Sequence, residues 1–312
     1  MEMKISSRFS LAVCLCLLSL SVFAQSDEDE EGEYTRKGAD TCLGCHDDQE
    51  SLALFKTPHA VPSDAHGPFG PGQLQCEACH GPGGKHAARV RRGQERPPAI
   101  RFGTGTETAI EVQNGICQGC HNAATGFAWH GSEHDINEIS CADCHQLHVA
   151  RDPVQQVATQ PEVCFACHRQ QHSQSLKPYA HPFDEGKMDC SGCHNPHGNR
   201  TEFLFARQTL NDTCFECHAE KRGPYLWEHA PVAEDCSLCH DPHGSNNPGM
   251  LSMRGPMLCQ SCHAQPEHQS FANGPDGLPD GNASRYLLGR NCMNCHTQVH
   301  GSNHPSGSRL MR

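Results

Sequence analysis

Cys214 to Gly244 reads CFECHAEKRGPYLWEHAPVAEDCSLCHDPHG. It contains two Cys-x-x-Cys-His units, Cys214/Cys217/His218 and Cys236/Cys239/His240. His229 lies between the units and His243 follows the second. Cys-x-x-Cys-His is the attachment signature of c-type haem. Its two thiols reach the vinyl-derived carbons on one edge of the porphyrin, and the histidine that follows falls beneath the iron as proximal ligand. One further histidine per haem remains for the opposite axial position. The stretch reads as a two-haem module carrying its own iron ligands.

The rest of the 312-residue chain repeats this arrangement. Of its 22 cysteines, 20 fall into ten such units, and Cys14 and Cys16 lie in the N-terminal apolar run, so none is left for a structural disulfide. A disulfide framework or a set of zinc ribbons does not require histidine after every second cysteine. The hydrophobic share is 36%, and without the cysteines it falls to about 29%, low for a chain that must build its own core. With about 29 residues per haem, the porphyrins themselves must be the core. Fifty glycines and prolines point to loops and short helices, and without haem such a chain is expected to stay largely unfolded. The expected fold is a multihaem cytochrome c: loops and short α-helices wrapped round an elongated chain of ten haems, with little or no β-sheet.

In chain order, residues 1–24 read as a signal peptide, with Lys4 and Arg8 before an apolar run from Leu11 to Val22 and a cleavage site near Ala24. The run is too short for a comfortable membrane span, and Val13 before Cys14 argues against a lipoprotein box. Residues 25–38, with the acidic run Asp27 to Glu33, read as a disordered leader. Residues 39–312 divide into five two-haem modules, about 39–105, 106–155, 156–205, 206–250 and 251–312.

Module one holds Cys42/Cys45/His46, His59, Cys76/Cys79/His80 and His86. Module two holds Cys117/Cys120/His121, His134, Cys141/Cys144/His145 and His148. Module three holds Cys164/Cys167/His168, His181, Cys190/Cys193/His194 and His197, and module four is the opening stretch. Module five holds Cys259/Cys262/His263, His268, Cys292/Cys295/His296, and then His300 or His304. The first free histidine follows its proximal histidine by 13 residues in modules one to three and by 11 in module four. The second follows by three in modules two to four, too close to reach the far face of its own haem, so His148, His197 and His243 are expected to ligate neighbouring haems. His300 keeps this register better than His304 and, like His197 and His243, precedes a glycine. His66, His130 and His172 fall out of register and read as surface histidines.

Eight methionines recur at no fixed place, so bis-histidine ligation of every iron is the economical assignment, and it implies low potentials. Six-coordinate irons offer no open position to a substrate, which separates electron carriers from catalytic centres. No Cys-x-x-Cys-Lys unit is present. The expected role is electron transfer, with no catalytic residues. Two interludes break the repeat. Lys85 to Arg101, with six basic residues, reads as a solvated loop balancing haem propionates rather than a docking patch. Gly274 to Asn282 reads as a turn-rich loop rather than a calcium site.

GADTCLGCH, LQCEACHGP, CADCHQLHVARDP, CSGCHNPHG, NDTCFECHAEKRGPYLWEHAP, CHDPHGSNNPGML and CMNCHTQVHGSNHPSG, spread from Gly38 to Gly307, resemble the periplasmic decahaem cytochromes of the MtrA/DmsE type. The resemblance implies a wire of haems lodged in an outer-membrane, porin-like β-barrel protein. Its other implied partners are periplasmic or inner-membrane cytochrome donors and an extracellular multihaem cytochrome or reductase, with no nucleic acid. It places the chain in the periplasm against the outer membrane. Two readings compete with this one: a periplasmic multihaem reductase with its own substrate site, and a freely diffusing periplasmic electron shuttle.

Overall fold

The computed structural model describes residues 33–121, 128–263 and 292–311. The signal peptide, most of the acidic leader, His268 and the Gly274 to Asn282 loop therefore lie outside the described residues. Among the described residues there is no strand; pairing is confined to isolated bridges such as Tyr179 with Ser245 and Trp227 with Ser302. The helices are short. Among the described residues the longest, Ile110–His121, has 12 residues, and most are a single turn. Among the described residues, no helix is long and apolar enough to cross a membrane.

Side chains alone make almost no core. Among the described residues, the buried hydrophobic ones are Ala39, Ala60, Trp129 and Phe165. Leu52, Ile136, Leu176, Phe203, Leu226, Leu238 and Met257 are exposed. Apolar surface on that scale must be covered by something the polypeptide does not supply, which agrees with porphyrins forming the interior.

The chain forms two units, Met1–Asp47 with Pro62–Ile100, and Asp48–Val61 with Arg101–Arg312. In the first, the Glu77 carboxylate is 5% exposed and gathers the segment before the first haem unit. It accepts from Thr35 N at 3.0 Å, Thr35 Oγ1 at 2.7 Å and Gly83 N at 2.7 Å. Gln75 accepts from Ala39 N at 2.6 Å. In the second unit the same job falls to amides three residues before a first cysteine. Asn114 donates to Ile139 O and accepts from Cys141 N, at 3.0 and 2.8 Å. Asn211 donates to Val232 O and accepts from Cys236 N, at 3.1 and 2.8 Å. Each buried amide therefore fixes the distance between the two haem units of a module, satisfying backbone groups that no sheet or long helix serves.

Candidate haem array

Each Cys-x-x-Cys-His unit is one turn of helix. The histidine amide donates to the carbonyl of the first cysteine, at 2.9 Å in His168, His194, His218, His263 and His296 and at 3.0 Å in His46 and His80. That turn brings both sulfurs and the imidazole to one side, the geometry a porphyrin edge and its iron require.

The two cysteines of a unit differ in surroundings. All ten first cysteines are half-buried, as are the second cysteines Cys79, Cys144, Cys193 and Cys239. The second cysteines Cys45, Cys120, Cys167, Cys217, Cys262 and Cys295 are exposed. All but Cys295 belong to the first unit of a module. The sequence assigns every one of these sulfurs to a thioether, and a covalent site is expected to be covered. The polypeptide does not cover these six. Cysteine is ordinarily among the most buried residue types, so exposure repeated at one place in the motif suits sulfurs that a porphyrin edge would cover. The turn itself is kept: the amides of Cys45, Cys79, Cys167, Cys217 and Cys295 donate to the first-cysteine carbonyls at 3.1–3.3 Å, and Cys120 lies within Ile110–His121. None of the twenty cysteines stands in a disulfide, as the sequence requires.

Sulfurs of successive units adjoin. In the first unit of the fold Cys42 neighbours Cys76. In the second, Cys117 neighbours Cys141, Cys164 neighbours Cys190, Cys214 neighbours Cys236, and Cys259 neighbours Cys292. Between modules, Cys144 lies near Cys164 and Cys167, Cys193 near Cys214 and Cys217, and Cys239 near Cys262. Within the Cys117 and Cys141 pair the neighbouring thiol draws Cys117 down to about 7 and raises its partner. In an attached cytochrome these sulfurs are thioethers, so their adjacency is what matters: it would bring the porphyrin edges held by these pairs close together.

Opposite each proximal imidazole of the following pairs stands a second one. Ring centroids are 6.4 Å apart for His46 and His86, 6.0 Å for His59 and His121, and 6.2 Å for His134 and His168. They are 5.9 Å for His145 and His197, 6.4 Å for His181 and His218, and 6.1 Å for His194 and His243. His229 with His263 and His240 with His300 are both at 6.1 Å. Two metal–nitrogen bonds of about 2.0 Å, with about 1.1 Å from each nitrogen to its ring centre, give a separation of about 6.2 Å. The residues fit haem iron. Among the described residues no group of three or more His, Cys, Asp or Glu could hold a bare metal ion; the histidines come in pairs instead.

The pairing differs from the self-contained module that the opening stretch suggests. None of its histidines faces another of its own. His218 faces His181, His240 faces His300, His229 faces His263 and His243 faces His194. First free histidines reach forward to the next module's first unit, and His197, His243 and His300 reach back to the preceding module's second unit; His86 is the exception and faces His46 of its own module. The cause is a staple between adjacent modules. His134 Nδ1 donates to Pro196 O at 2.9 Å, His181 Nδ1 to Pro242 O at 2.7 Å, and His229 Nδ1 to Val299 O at 2.9 Å. Each acceptor immediately precedes a second free histidine, His197, His243 or His300. The bridges of Tyr179 with Ser245 and Trp227 with Ser302 lock the same register. Gly244, at φ 138°, must be glycine here: a Cβ would strike the Gln174 carbonyl.

Burial lowers the pKa of His59, His168, His197, His243 and His300, and for the first four the facing imidazole adds to the shift. For His300 the next cause is Lys221, ahead of His240. Neutral imidazole is the form that binds a metal. With Nε2 on iron, Nδ1 carries the proton and donates. His80, His86, His194, His240 and His296 each direct it to a backbone carbonyl, at 2.7–2.9 Å. His145 differs: its Nδ1 faces Asp152 Oδ2 at 2.7 Å.

Three comparisons with known proteins bear on this arrangement. A family model for the doubled CXXCH motif matches residues 181–223 and 229–268. A model for NrfB-like c-type cytochrome proteins matches residues 76–161. Multiheme cytochrome MtrA of Shewanella baltica (strain OS185) is 48% identical over 285 residues, 90% of this chain and 84% of that protein. The chain belongs to the MtrA family of multihaem cytochromes. Like other MtrA-type cytochromes, it is an electron carrier with covalently attached c-type haem and not an enzyme. The frame of the doubled motif, opening at His181 and again at His229, begins on the histidines that reach forward.

His300 faces His240, whereas His304 turns its Nδ1 to Ser306 at 2.9 Å. His66 and His130 are exposed. His172 is not a surface histidine: it is half-buried and stacks on buried Phe165, with centroids 4.6 Å apart and planes at 11°. In the basic interlude Lys85, Arg89, Arg91, Arg92 and Arg101 stand away from any packed core, while exposed Arg96 donates to His86 O and Ala88 O at 2.6 and 2.9 Å. One of these charges thus braces the loop carrying His86. Register alone passes over Asn114, Asn211 and Asp152. Asn three residues before a first cysteine, in NGIC and NDTC, is the visible signal for the first two.

Proposed function

We propose that the chain holds ten c-type haems, each bonded to the two cysteines of its unit and set between two histidines, and conducts electrons along them across the outer membrane within a porin-like barrel. The observation that carries this reading is the set of facing imidazole pairs, spaced to fit an iron and leaving it no open coordination position. His148 and His268, the latter outside the described residues, complete the ligand set; His66, His130, His172 and His304 stand outside it. The adjoining sulfurs support edge-to-edge haem neighbours, so electrons pass by short steps. Kinship with MtrA supports the barrel partner and a periplasmic location after export. An extracellular multihaem cytochrome and periplasmic or inner-membrane donors then complete the path. The test combines intact mass with low-temperature spin resonance: ten haems per exported chain and only low-spin iron are expected. High-spin iron in the undamaged oxidised protein would revive a reductase with its own substrate site.

A further inference from the structure

Imidazole ligands are tuned through the atom that does not touch the metal. A carbonyl accepting from Nδ1 orients the ring; a carboxylate also pulls the proton and makes the imidazole a stronger donor. Hydrogen bonding beyond the axial ligands is one of the levers a protein has on haem potential. His80, His86, His134, His181, His194, His229, His240 and His296 all direct Nδ1 to backbone carbonyls. His145 departs from all eight and donates to a side-chain carboxylate, Asp152 Oδ2 at 2.7 Å. The nearest comparable case, His218 beside Glu220, is at 3.9 Å with both side chains more than half exposed.

The Asp152 side chain is 10% exposed, so solvent screens it little. Its other oxygen accepts from Gln146 N at 3.2 Å and Val154 N at 3.4 Å, which fixes the carboxylate in the plane the imidazole needs. Among the described residues, no Lys or Arg forms an ion pair with it. The ring opposite His145 is His197, from the following module.

On the bis-histidine reading above, we propose that Asp152 is a positioning residue that makes the haem between His145 and His197 the most strongly reducing of the array. The negative charge and the shared proton stabilise ferric over ferrous iron at that one place. Electrons then find a raised step at the joint of modules two and three, and those held at rest distribute to either side of it.

The test uses the full, matured chain. Potentiometric titration followed by near-infrared magnetic circular dichroism separates the haem with the stronger donor, whose charge-transfer band lies at shorter wavelength. In the unaltered protein one haem in ten should show that band and be reduced last. Asp152→Asn keeps an oxygen for the two backbone amides but loses the charge; it should move that band to longer wavelength and raise the lowest potential into the range of the others. Asp152→Glu should restore part of the shift. A purely structural Asp152 would alter thermal stability without moving band or potential, and that result overturns the inference. Should Asp152→Asn fail to mature, the unaltered protein still decides: ten superposed bands overturn the inference. Ten low-spin haems with the lowest potential unmoved defeat the role of Asp152 alone. Missing haems or high-spin iron in the unaltered chain defeat the ligation on which it rests.

Discussion

A ligand pair is tested most directly by removing the residue that has nothing else to do. His243 faces His194 at 6.1 Å, and its substitution leaves one iron with an open position. His243→Ala should give one high-spin haem in ten by spin resonance, whereas His130→Ala should leave the spectrum unchanged. Glu77 gives a second residue-scale expectation. Burial pushes its carboxyl up, but the Gly83 amide and the Thr35 donors outweigh that and hold it below the usual value of 4.5. A depressed carboxyl contributes stability that is present above its unfolded value and is lost as pH falls through the folded value. Glu77→Gln should therefore lower the midpoint of thermal unfolding at neutral pH, by the loss of about 1–3 kcal/mol that goes with weakened hydrogen bonding to a charge. The gap between parent and variant should close as pH drops below about 4.5. A gap that stays constant with pH would show that Glu77 acts without its charge.

At the scale of the elements, the planes of facing imidazoles range from nearly parallel to crossed. Pairs holding second units are nearly parallel: 13° for His145 and His197, 19° for His194 and His243, 14° for His240 and His300. Among pairs holding first units, His59 with His121 and His134 with His168 are crossed at 71° and 76°, His181 with His218 lies at 46°, and His46 with His86 and His229 with His263 lie at 23° and 24°. Crossed ligand planes bring two iron orbitals close in energy and give highly anisotropic low-spin signals; parallel planes give rhombic ones. The oxidised protein should show both signals together, and a single rhombic signal would contradict these orientations. The two clamping amides are testable in the same terms. Asn211→Ala removes bonds to Val232 O and Cys236 N and should destabilise the spacing of its module by about 1–3 kcal/mol. The measurement is the yield of fully matured protein together with its unfolding midpoint.

These elements also show where sequence stops informing. A haem unit is legible because attachment needs both cysteines and the histidine within one helical turn. Which of those cysteines the polypeptide shelters is not: Cys79 is half-buried and Cys45 exposed in the same motif, a difference set by packing around the turn. The positions of the candidate distal histidines are legible because the repeat marks them. Who faces whom is not, since His181 and His229 could reach backward or forward at the same spacing. That choice is made by hydrogen bonds to Pro242 O and Val299 O, backbone atoms that any residue would supply. His172 escapes register for a related reason: its partner is Phe165, a ring contact that no spacing predicts.

For the molecule as a whole, the proposed forward and backward ligation means that no module is complete alone. Cutting the chain anywhere inside the array removes ligands from haems on the other side of the cut. A chain ending after module three loses His218, which faces His181, and His243, which faces His194. The His194 haem would be left with an open position, and every haem beyond it would be absent. Co-assembled in liposomes with a barrel partner of the proposed kind, the intact protein should let an external reductant reduce a dye trapped inside. The shortened chain should still take up electrons on its remaining haems, and it should show one high-spin iron from His194. It should carry no current to the lumen, because the remaining haems no longer reach the far face. Conduction by the shortened chain at the intact rate would defeat the conduit, and rapid turnover of a small substrate by the intact soluble protein would replace it with a reductase.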